Sequence, residues 1–348
     1  MHLAIRAAAV ACLFLFGALP AASADESAVA RFYKGKQVSV IIGTTPGGGY
    51  DLYGRLVARY IGKYIPGNPT VIVNNMPGAA SVVALQHVYT VAPKDGTVIG
   101  AVYPQAIMEP LLGDRAKARY DVNELSFLGS ANSELYVCVV RTDAGVTKLD
   151  DFLSKGIILG ASAAGGSTRD FPNMLKAVLG AKLTVVSGYA GSNEIMLAVE
   201  RGEVQGTCGV GWSSVASARP DWVEGKGVKI IAQEGLTSAP ELTKRNVEMD
   251  ISRAADDNQR QLMNMFYAPL KFGRPFIMAP GIPPERLAAI RSAFNAALKD
   301  PDLLAEARKL RVDVDGLDAA EMQKLVDGLY KAPPEVVAKA REILGSKM

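Results

Sequence analysis

The sequence predicts an α/β fold of two domains, each a mostly parallel sheet flanked by helices. The chain has 348 residues, and single domains usually contain about 100–200. Short runs rich in Val, Ile and Thr alternate with amphipathic stretches along most of the chain, which is typical of strand–helix–strand units. Glycine-rich turns follow several of these runs, at the positions where such units change from strand to helix.

The first domain begins with three predicted strands, at residues 37–42, 70–73 and 97–102. After the first strand, apolar side chains recur every four residues and predict an amphipathic helix: Leu52, Leu56, Tyr60 and Tyr64. Small residues predict a second helix at 79–91. Because turn and helix follow strand each time, we expect parallel strands joined by crossover helices.

The second domain repeats the scheme. Its predicted strands are residues 135–140, 156–160, 183–186, 203–209 and 228–232. Its predicted helices are residues 146–153, 170–179 and 193–201. Residues 271–284 are rich in Pro and Gly and are predicted to return the chain to the first domain, and the pattern from Pro284 onward is helical.

The composition excludes several classes of function. A net charge of +3 gives no electrostatic reason to expect a nucleic-acid partner. With His2 and His87 as the two histidines, a zinc site or a Ser-His-Asp triad lacks its residues. Residues 48–51 lack the Lys of a P-loop, and the first turn lacks the Rossmann glycine spacing. We therefore expect no catalytic residue, no metal and no cofactor.

The N-terminus predicts a cleaved signal peptide over residues 1–24. Arg6 precedes an apolar run at residues 7–19, which is short for a membrane span, and the small residues 22–24 offer a cleavage site. We therefore expect an exported protein of the periplasm. In such a compartment Cys138 and Cys208 are either two buried thiols or one disulfide, and the sequence leaves both open.

Four glycine-rich turns carry the functional prediction. They lie at residues 47–48, 77–78, 165–166 and 191–192, each between a predicted strand and a predicted helix. Helix starts present unpaired backbone N–H groups and the positive end of a dipole, and glycine lets a ligand approach the backbone. Two turns from each half, facing across a cleft, would form an anion clamp, although each turn alone is also compatible with a packing role.

Few charged side chains accompany these turns. Arg169 is the cation close to them, and it either binds a carboxylate or lies solvated at the surface. Asp51 either caps the first helix or orients a ligand. We expect the backbone N–H groups, helped by the hydroxyls of Ser167 and Thr168, to neutralise a bound acid.

Several motifs, in order, resemble those of the tripartite tricarboxylate transporter substrate-binding proteins, the TctC-like or Bug-type periplasmic receptors. Residues 45–55 resemble the P-G-G-x-x-D-x-x-[AG]-R signature, and residues 73–80 resemble the N-x-x-G-A turn. Residues 92–97, 188–204, 279–283 and 298–301 are similar to later motifs of the family. The likeness spans nearly the whole mature chain. The chain departs from it at residues 44–45, at residues 75–77 and in a long polar segment at 241–270.

The resemblance implies a two-lobed Venus-flytrap receptor with the type II periplasmic-binding-protein fold. Lobe one would comprise residues 25–138 and 276–348, and lobe two residues 139–275, with crossings near residues 135–141 and 274–280. Carried over by position, the ligand contacts of lobe one would be Thr45, Pro46, Gly48, Tyr50, Asp51, Gly78, Ala79 and Tyr103. Those of lobe two would be Ala163, Gly165, Gly166, Ser167, Thr168, Arg169, Tyr189 and Gly191. Trp212 would either wall the pocket or pack in the core.

The implied function is to bind a small carboxylate between the lobes and deliver it to the membrane subunits of a cognate transporter. Two alternatives stay open. An exported enzyme acting on a small acid would have to use a carboxylate or a tyrosine as its base. A ligand-binding partner of a sensor protein would share the fold and the cleft.

Overall fold

A computed structural model describes residues 27–113 and 118–345. They form two α/β lobes, each built on a six-stranded sheet. The predicted signal peptide lies outside the described residues. Within the described residues, no helix combines the length and the apolar composition needed to cross a membrane.

The strands and helices follow the predicted alternation. The strands are β1 Gln37–Ile42, β2 Thr70–Asn75, β3 Val98–Ala101, β4 Ser126–Ser130, β5 Tyr136–Arg141, β6 Ile157–Ala161, β7 Leu183–Ser187, β8 Gly206–Gly211, β9 Val228–Glu234, β10 Glu248–Met249, β11 Pro275–Met278 and β12 Leu317–Asp318. The helices are α1 Ala28–Tyr33, α2 Gly49–Ile61, α3 Val82–Thr90, α4 Pro104–Leu112, α5 Leu149–Ser154, α6 Ser167–Leu179, α7 Ser192–Arg201, α8 Trp212–Ala218, α9 Pro220–Val223, α10 Pro240–Thr243, α11 Asp257–Tyr267, α12 Pro284–Leu298, α13 Pro301–Leu310, α14 Ala319–Tyr330 and α15 Pro334–Leu344.

The sheet of lobe one has the order β12-β4-β11-β3-β1-β2. β1 runs parallel to β2 and β3, as predicted, while β11 and β4 are antiparallel to their neighbours. Both faces of β1 are covered, because Val38, Val40 and Ile42 pack with α2 on one side and Ile41 packs with α3 on the other. Burial on both faces explains why this strand reads as a continuous apolar run.

The sheet of lobe two has the order β10-β9-β5-β8-β6-β7. β6 pairs in parallel with β7 and β8, whereas β5 lies antiparallel between β8 and β9. Both sheets are therefore mixed, since β5 and β11 are the strands that follow the crossings between lobes. Cys138 of β5 and Cys208 of β8 form a disulfide, which resolves the alternative that the sequence left open.

The chain passes from lobe one to lobe two between Ser130 and Tyr136, and it returns before Pro275. The C-terminal helix α15 makes a further connection, since it packs against α4 of lobe one and against α6 and α11 of lobe two. Arg341 on this helix donates a hydrogen bond to the carbonyl of Gly113 at 3.3 Å.

Candidate functional site

The loops after β1, β6 and β7 meet where the two lobes face each other. A side-chain carbon built on Gly191 would lie 2.8 Å from Thr45 Oγ1, and one built on Gly48 would lie 3.2 Å from Ser192 Oγ. The turns of opposite lobes are thus in contact, and the interlobe cleft is closed.

A small cavity of about 30 Å³ remains inside this closed cleft, and we call it the cleft cavity. It is lined by Tyr50, Tyr103, Tyr136, Ser162, Gly166, Ser167, Thr168, Ser192, Gly209, Val210, Gly211, Ser214 and Arg274. One enclosed water needs about 10–15 Å³ of cavity volume. The closed cavity therefore has room for one or two waters, and a larger ligand requires the lobes to separate.

The lining of the cleft cavity favours an anion. Among the described residues, it includes no Asp or Glu, and its one charged side chain is Arg274. Burial raises the pKa of the phenols of Tyr50, Tyr103 and Tyr136, so all three stay protonated and keep a hydrogen to donate. The hydroxyls of Tyr50 and Tyr136 are 2.9 Å apart, and since one proton serves that bond, the pair retains a second proton.

Helix starts surround the same cavity. Helices α2, α6 and α7 begin after Gly48, Gly166 and Gly191, the glycines that the sequence placed in its clamp. The first N–H groups of a helix have no acceptor within the helix. Three positive helix ends therefore lie at one enclosed space, whereas the fourth predicted turn, at residues 77–78, does not line it.

The hydroxyls of α6 are less available than the sequence suggested. Ser167 Oγ donates to the carbonyl of Gly209 at 2.7 Å, which uses its proton. Thr168 Oγ1 accepts from the backbone N–H of Ser162 at 2.9 Å and is hydrogen-bonded to the Ser162 hydroxyl at 2.8 Å. Both side chains shape the loop after β6, and of the two only Thr168 retains the possibility of donating to a ligand.

Asp51 organises the first turn. Its carboxylate accepts hydrogen bonds from the backbone N–H of Gly47 at 3.0 Å, from Arg55 Nε at 2.9 Å and from Asn75 Nδ2 at 2.8 Å. Burial opposes ionisation of Asp51, but these donors together lower its pKa below the ordinary value. The residue is 5% exposed and does not line the cleft cavity, so its contacts fix the loop rather than reach into the site.

The second turn is strained. Gly78, Ala79, Ala80 and Ser81 all have positive φ, which is rare for residues other than glycine. Ser81 Oγ donates to the carbonyl of Gly43 at 2.9 Å and ties this turn to the end of β1. The helix predicted from residue 79 therefore begins only at Val82, because the left-handed backbone of the turn cannot continue into it. Strain of this kind is typical of functional sites.

Eight lining residues of the cleft cavity were not predicted from the sequence: Tyr136, Ser162, Ser192, Gly209, Val210, Gly211, Ser214 and Arg274. Among them Arg274 is the one with a charge. It lies in the return crossing and is 2% exposed, and its guanidinium contacts the carboxylate of Glu134 and the Ser213 hydroxyl. The guanidinium carbon also lies 4.0 Å from the ring centre of Tyr50. Because Ser213 and Glu134 lie 61 and 140 residues away from Arg274 in the chain, and Tyr50 lies farther still, no local pattern could have indicated it.

A second and larger cavity, of about 570 Å³, lies on the other side of the start of α6, and we call it the lateral cavity. Of the predicted ligand contacts, Tyr50, Tyr103, Gly166, Ser167 and Thr168 line the cleft cavity. Ala79, Ala163, Gly165 and Arg169 line the lateral cavity. The remaining predicted contacts line neither cavity: Thr45, Pro46, Gly48, Asp51, Gly78, Tyr189 and Gly191.

Two predicted side chains have other partners. Arg169 Nη1 lies 3.3 Å from Asp170 Oδ1 and 3.3 Å from the carbonyl of Leu344, on the side of α6 away from the cleft cavity. Trp212 packs in the core of lobe two and donates to Glu241 Oε1 at 2.7 Å. The cation that borders the cleft cavity is thus Arg274 and not Arg169.

The fold defined by these lobes and this cleft is that of the Bug and TctC type of periplasmic binding protein. The structure is similar to that of the periplasmic binding protein BugD, with a TM-score of 0.73 and 16% identity, over 91% of this chain and 100% of that one. It is similar to an R. palustris protein solved with adipate, with a TM-score of 0.70 and 18% identity, over 89% and 97% of the two chains. It is also similar to MatC from Rhodopseudomonas palustris with bound malate, with a TM-score of 0.68 and 17% identity, over 89% and 99%.

Identities at this level establish the fold. No family model matches the sequence, and no curated protein matches it either. The two-lobed α/β prediction is confirmed.

Proposed function

We propose that this protein is an exported receptor that binds a small carboxylate between its two lobes and delivers it to a membrane transporter of the tripartite tricarboxylate type. The observation that carries the proposal is the cleft cavity itself. Three helix starts and three protonated phenols surround it, together with the guanidinium of Arg274, whose charge is balanced by Glu134, and no acidic side chain is among its described lining residues. Such a donor-rich, enclosed site stabilises a carboxylate and disfavours a cation.

The structural neighbours support this choice of ligand. The R. palustris protein was solved with adipate and MatC with malate, and both are dicarboxylates. A receptor role also accords with the site, since none of its described lining residues is a histidine, cysteine or carboxylate that could act as a base at neutral pH. We propose residues 1–24 as the signal that exports the chain to the periplasm.

The first experiment is a thermal-shift and calorimetric screen of the mature protein against malate, adipate and citrate, with the corresponding amides as controls. Ligands that bind the folded state alone raise the melting temperature. We expect at least one acid to bind, and its amide to bind much more weakly. Absence of binding by every carboxylate, with the protein folded, would refute the proposal.

The phenols give a sharper test. Tyr136→Phe keeps the ring and removes one hydroxyl of the Tyr50–Tyr136 pair. A hydrogen bond to a charged group contributes about 1.5–3 kcal/mol, so we expect affinity to fall about 10-fold to 150-fold. Tyr33→Phe is the matched control, because Tyr33 is also buried but donates to the carbonyl of Gly96 at 2.9 Å, away from the cleft. Equal affinities of the two variants would contradict the assignment.

Two variants distinguish backbone N–H groups from the Arg169 side chain as the groups that neutralise the acid. A side-chain carbon on Gly166 would lie 2.1 Å from Ser162 Oγ, so Gly166→Val must displace the loop after β6. Arg169→Ala removes a cation that faces the other side of α6. We expect the first variant to lose most of the carboxylate affinity and the second to keep it. The opposite result would show that an ion pair with Arg169 holds the ligand.

Binding should also change the shape of the molecule. Since the closed cleft has no room for a dicarboxylate, the lobes must open to admit the acid and cannot close around it as far as in this structure. Small-angle scattering should therefore give a radius of gyration with saturating ligand that exceeds the one calculated from this closed structure. The transport step is tested separately, by uptake of the labelled acid in cells with and without the gene for this chain.

A further inference from the structure

Two acidic side chains lie side by side in the core of lobe two. Glu234 ends β9 and Asp250 follows β10, and both are 0% exposed. β10 runs parallel to β9 with Met249 opposite Gln233, so the next position in this register places Asp250 beside Glu234. We call these two residues the carboxyl pair. Among the described residues, no lysine, arginine or histidine interacts with either carboxyl group.

Each carboxyl group of the pair has one oxygen with a partner and one without. Glu234 Oε2 accepts from the backbone N–H of Gly209 at 2.6 Å, and Asp250 Oδ2 accepts from the Tyr267 hydroxyl at 2.5 Å. Glu234 Oε1 and Asp250 Oδ1 are buried and have no hydrogen-bond partner. Two adjacent buried carboxylates without a cation are costly, and a proton on the pair removes one charge and turns one acceptor into a donor.

Hydrogen bonds connect the carboxyl pair with the cleft cavity. Gly209, whose N–H binds Glu234, lines that cavity, and its carbonyl accepts from Ser167 Oγ at 2.7 Å. Ser167 is the first residue of α6 and lines the same cavity. A side-chain carbon on Gly209 would lie 2.3 Å from the carbonyl oxygen of Ser167, so β8 and the start of α6 are in direct contact. A charge on the pair therefore lies one residue behind the wall of the cleft.

Two groups face the carboxyl pair from the surrounding elements. Burial and the two carboxyl groups raise the pKa of Tyr267 on α11, so its phenol stays protonated. The Cys138–Cys208 disulfide between β5 and β8 lies within 4.8 Å of a Glu234 carboxyl oxygen and carries no titratable proton. Burial and the neighbouring Asp250 raise the pKa of Glu234, and burial raises the pKa of Asp250 to about 7. The pair itself is thus the group that changes its charge near neutral pH.

We propose that the carboxyl pair is a proton-binding site that positions Gly209 and Ser167 and makes the carboxylate affinity of the cleft depend on pH. The proposal rests on the proposed function of the cleft. While the pair is protonated, the start of α6 keeps its full positive potential for an anion. A negative charge on the pair opposes that potential, so affinity falls as the pH rises. Linkage is reciprocal, and binding of an acid near pH 7 therefore takes up protons.

The first test measures the Kd of malate and of adipate by calorimetry at pH 6.5 and 8.5, where aliphatic dicarboxylates are almost fully ionised. We expect binding to be about 10-fold weaker at pH 8.5, the effect of one nearby unit charge. At pH 7, the heats in buffers of different ionisation enthalpy should show net proton uptake. Equal affinities at the two pH values without proton uptake would overturn the proposal.

Variants assign the pH dependence to the pair. The double variant Glu234→Gln/Asp250→Asn replaces both carboxyl groups by amides of the same shape and should bind either acid equally well at pH 6.5 and 8.5. Asp170→Asn is the matched control, because Asp170 is also buried and its pKa is raised by burial to about 7, but Arg169 lies 3.3 Å from it. This control should keep the pH dependence. A dependence that survives in the double variant, or that vanishes in the control, would overturn the proposal.

Amide NMR of the protein without ligand tests the proton site separately from the function of the cleft. The N–H signal of Gly209 should titrate with a midpoint near pH 7 in the wild type and lose this titration in the double variant. If Gly209 titrates but neither acid binds at either pH, the proton site stands, whereas the function of the cleft and the link to affinity are refuted. A Gly209 signal that does not titrate in the wild type would overturn the proton site itself.

Discussion

Replacing Arg274 by Met is expected to destabilise the protein strongly, because it leaves a buried charge without its partner. The side chains of Arg274 and Glu134 are 1% and 3% exposed, and the two residues lie in the two segments that cross between the lobes. Arg274 Nη2 donates to Glu134 and also to Ser213 Oγ at 3.0 Å. In Arg274→Met the carboxylate keeps the Ser213 hydroxyl but loses its cation.

Breaking a buried ion pair by removing one partner costs about 3–5 kcal/mol. Folded proteins are stable by about 5–15 kcal/mol in total, so this loss is a large fraction of the whole. The matched control is Arg59→Met, which breaks an ion pair with Glu306 whose side chains are 47% and 30% exposed. We expect that control to cost less than about 1 kcal/mol.

Urea unfolding of the wild type, of Arg274→Met, of Glu134→Gln and of the double variant gives the coupling energy between the two side chains. We expect the double variant to lose much less than the sum of the single losses, with a coupling of about 2 kcal/mol or more. Additive losses, or a loss in Arg274→Met no larger than that in the exposed control, would refute the argument. Arg274 and Glu134 would then not form a buried, charge-neutral ion pair between the two crossing segments.

Three further predictions concern other parts of the molecule. Asp51→Asn should weaken carboxylate binding about 10-fold by loosening the first turn, measured by calorimetry beside Asp143→Asn, an exposed control that should change nothing. Reduction of the Cys138–Cys208 disulfide should lower the free energy of unfolding by about 4 kcal/mol, because it opens a loop with a sequence separation of 70. Urea unfolding measures this loss, and mass spectrometry shows whether both thiols are free. An unchanged free energy of unfolding in the reduced protein would contradict the prediction. Burial raises the pKa of Asp250 to about 7. Between about pH 4 and 7 the native state therefore keeps a proton that the unfolded chain has released. The free energy of unfolding should fall as the pH rises through this range. Asp250→Asn should remove part of that fall in urea titrations at pH 5 and 7.5, because burial also raises the pKa of Asp170 and Glu234, and an equal fall in the variant would assign it to those two groups.

Much of the fold could be predicted because buried parallel strands have a composition of their own. β1, β6 and β7 are apolar runs that end in glycine-rich turns, and they lie within one or two residues of the predicted positions. The sequence analysis missed β4 and α4. β4 contains Gly129 and two serines, so it has too few apolar residues in a row to indicate a strand. Pro104 and Pro110 interrupt the helical pattern of α4.

Only part of the site could be predicted, because the sequence does not show which side of a helix faces the ligand cavity. The turn before α6 was found, but successive residues of a helix point about 100° apart. Ser167 and Thr168 therefore line the cleft cavity while Arg169 faces the lateral cavity, and the sequence alone did not distinguish the two sides. Tyr136 and Arg274 reach the cleft through long-range folding, so no spacing along the chain could reveal them.

The position of α15 restricts how the lobes can move. Two crossing segments alone would allow rotation about an axis through both of them, but α15 touches α4 on one lobe and α6 and α11 on the other. The last helix therefore acts as a third tether, and opening the cleft must either slide it along one lobe or detach it from that lobe. Separation of the lobes is then limited in amplitude by α15, and a tag fused behind this helix would change the opening equilibrium although neither Leu344 nor Gly345 lines the cleft cavity.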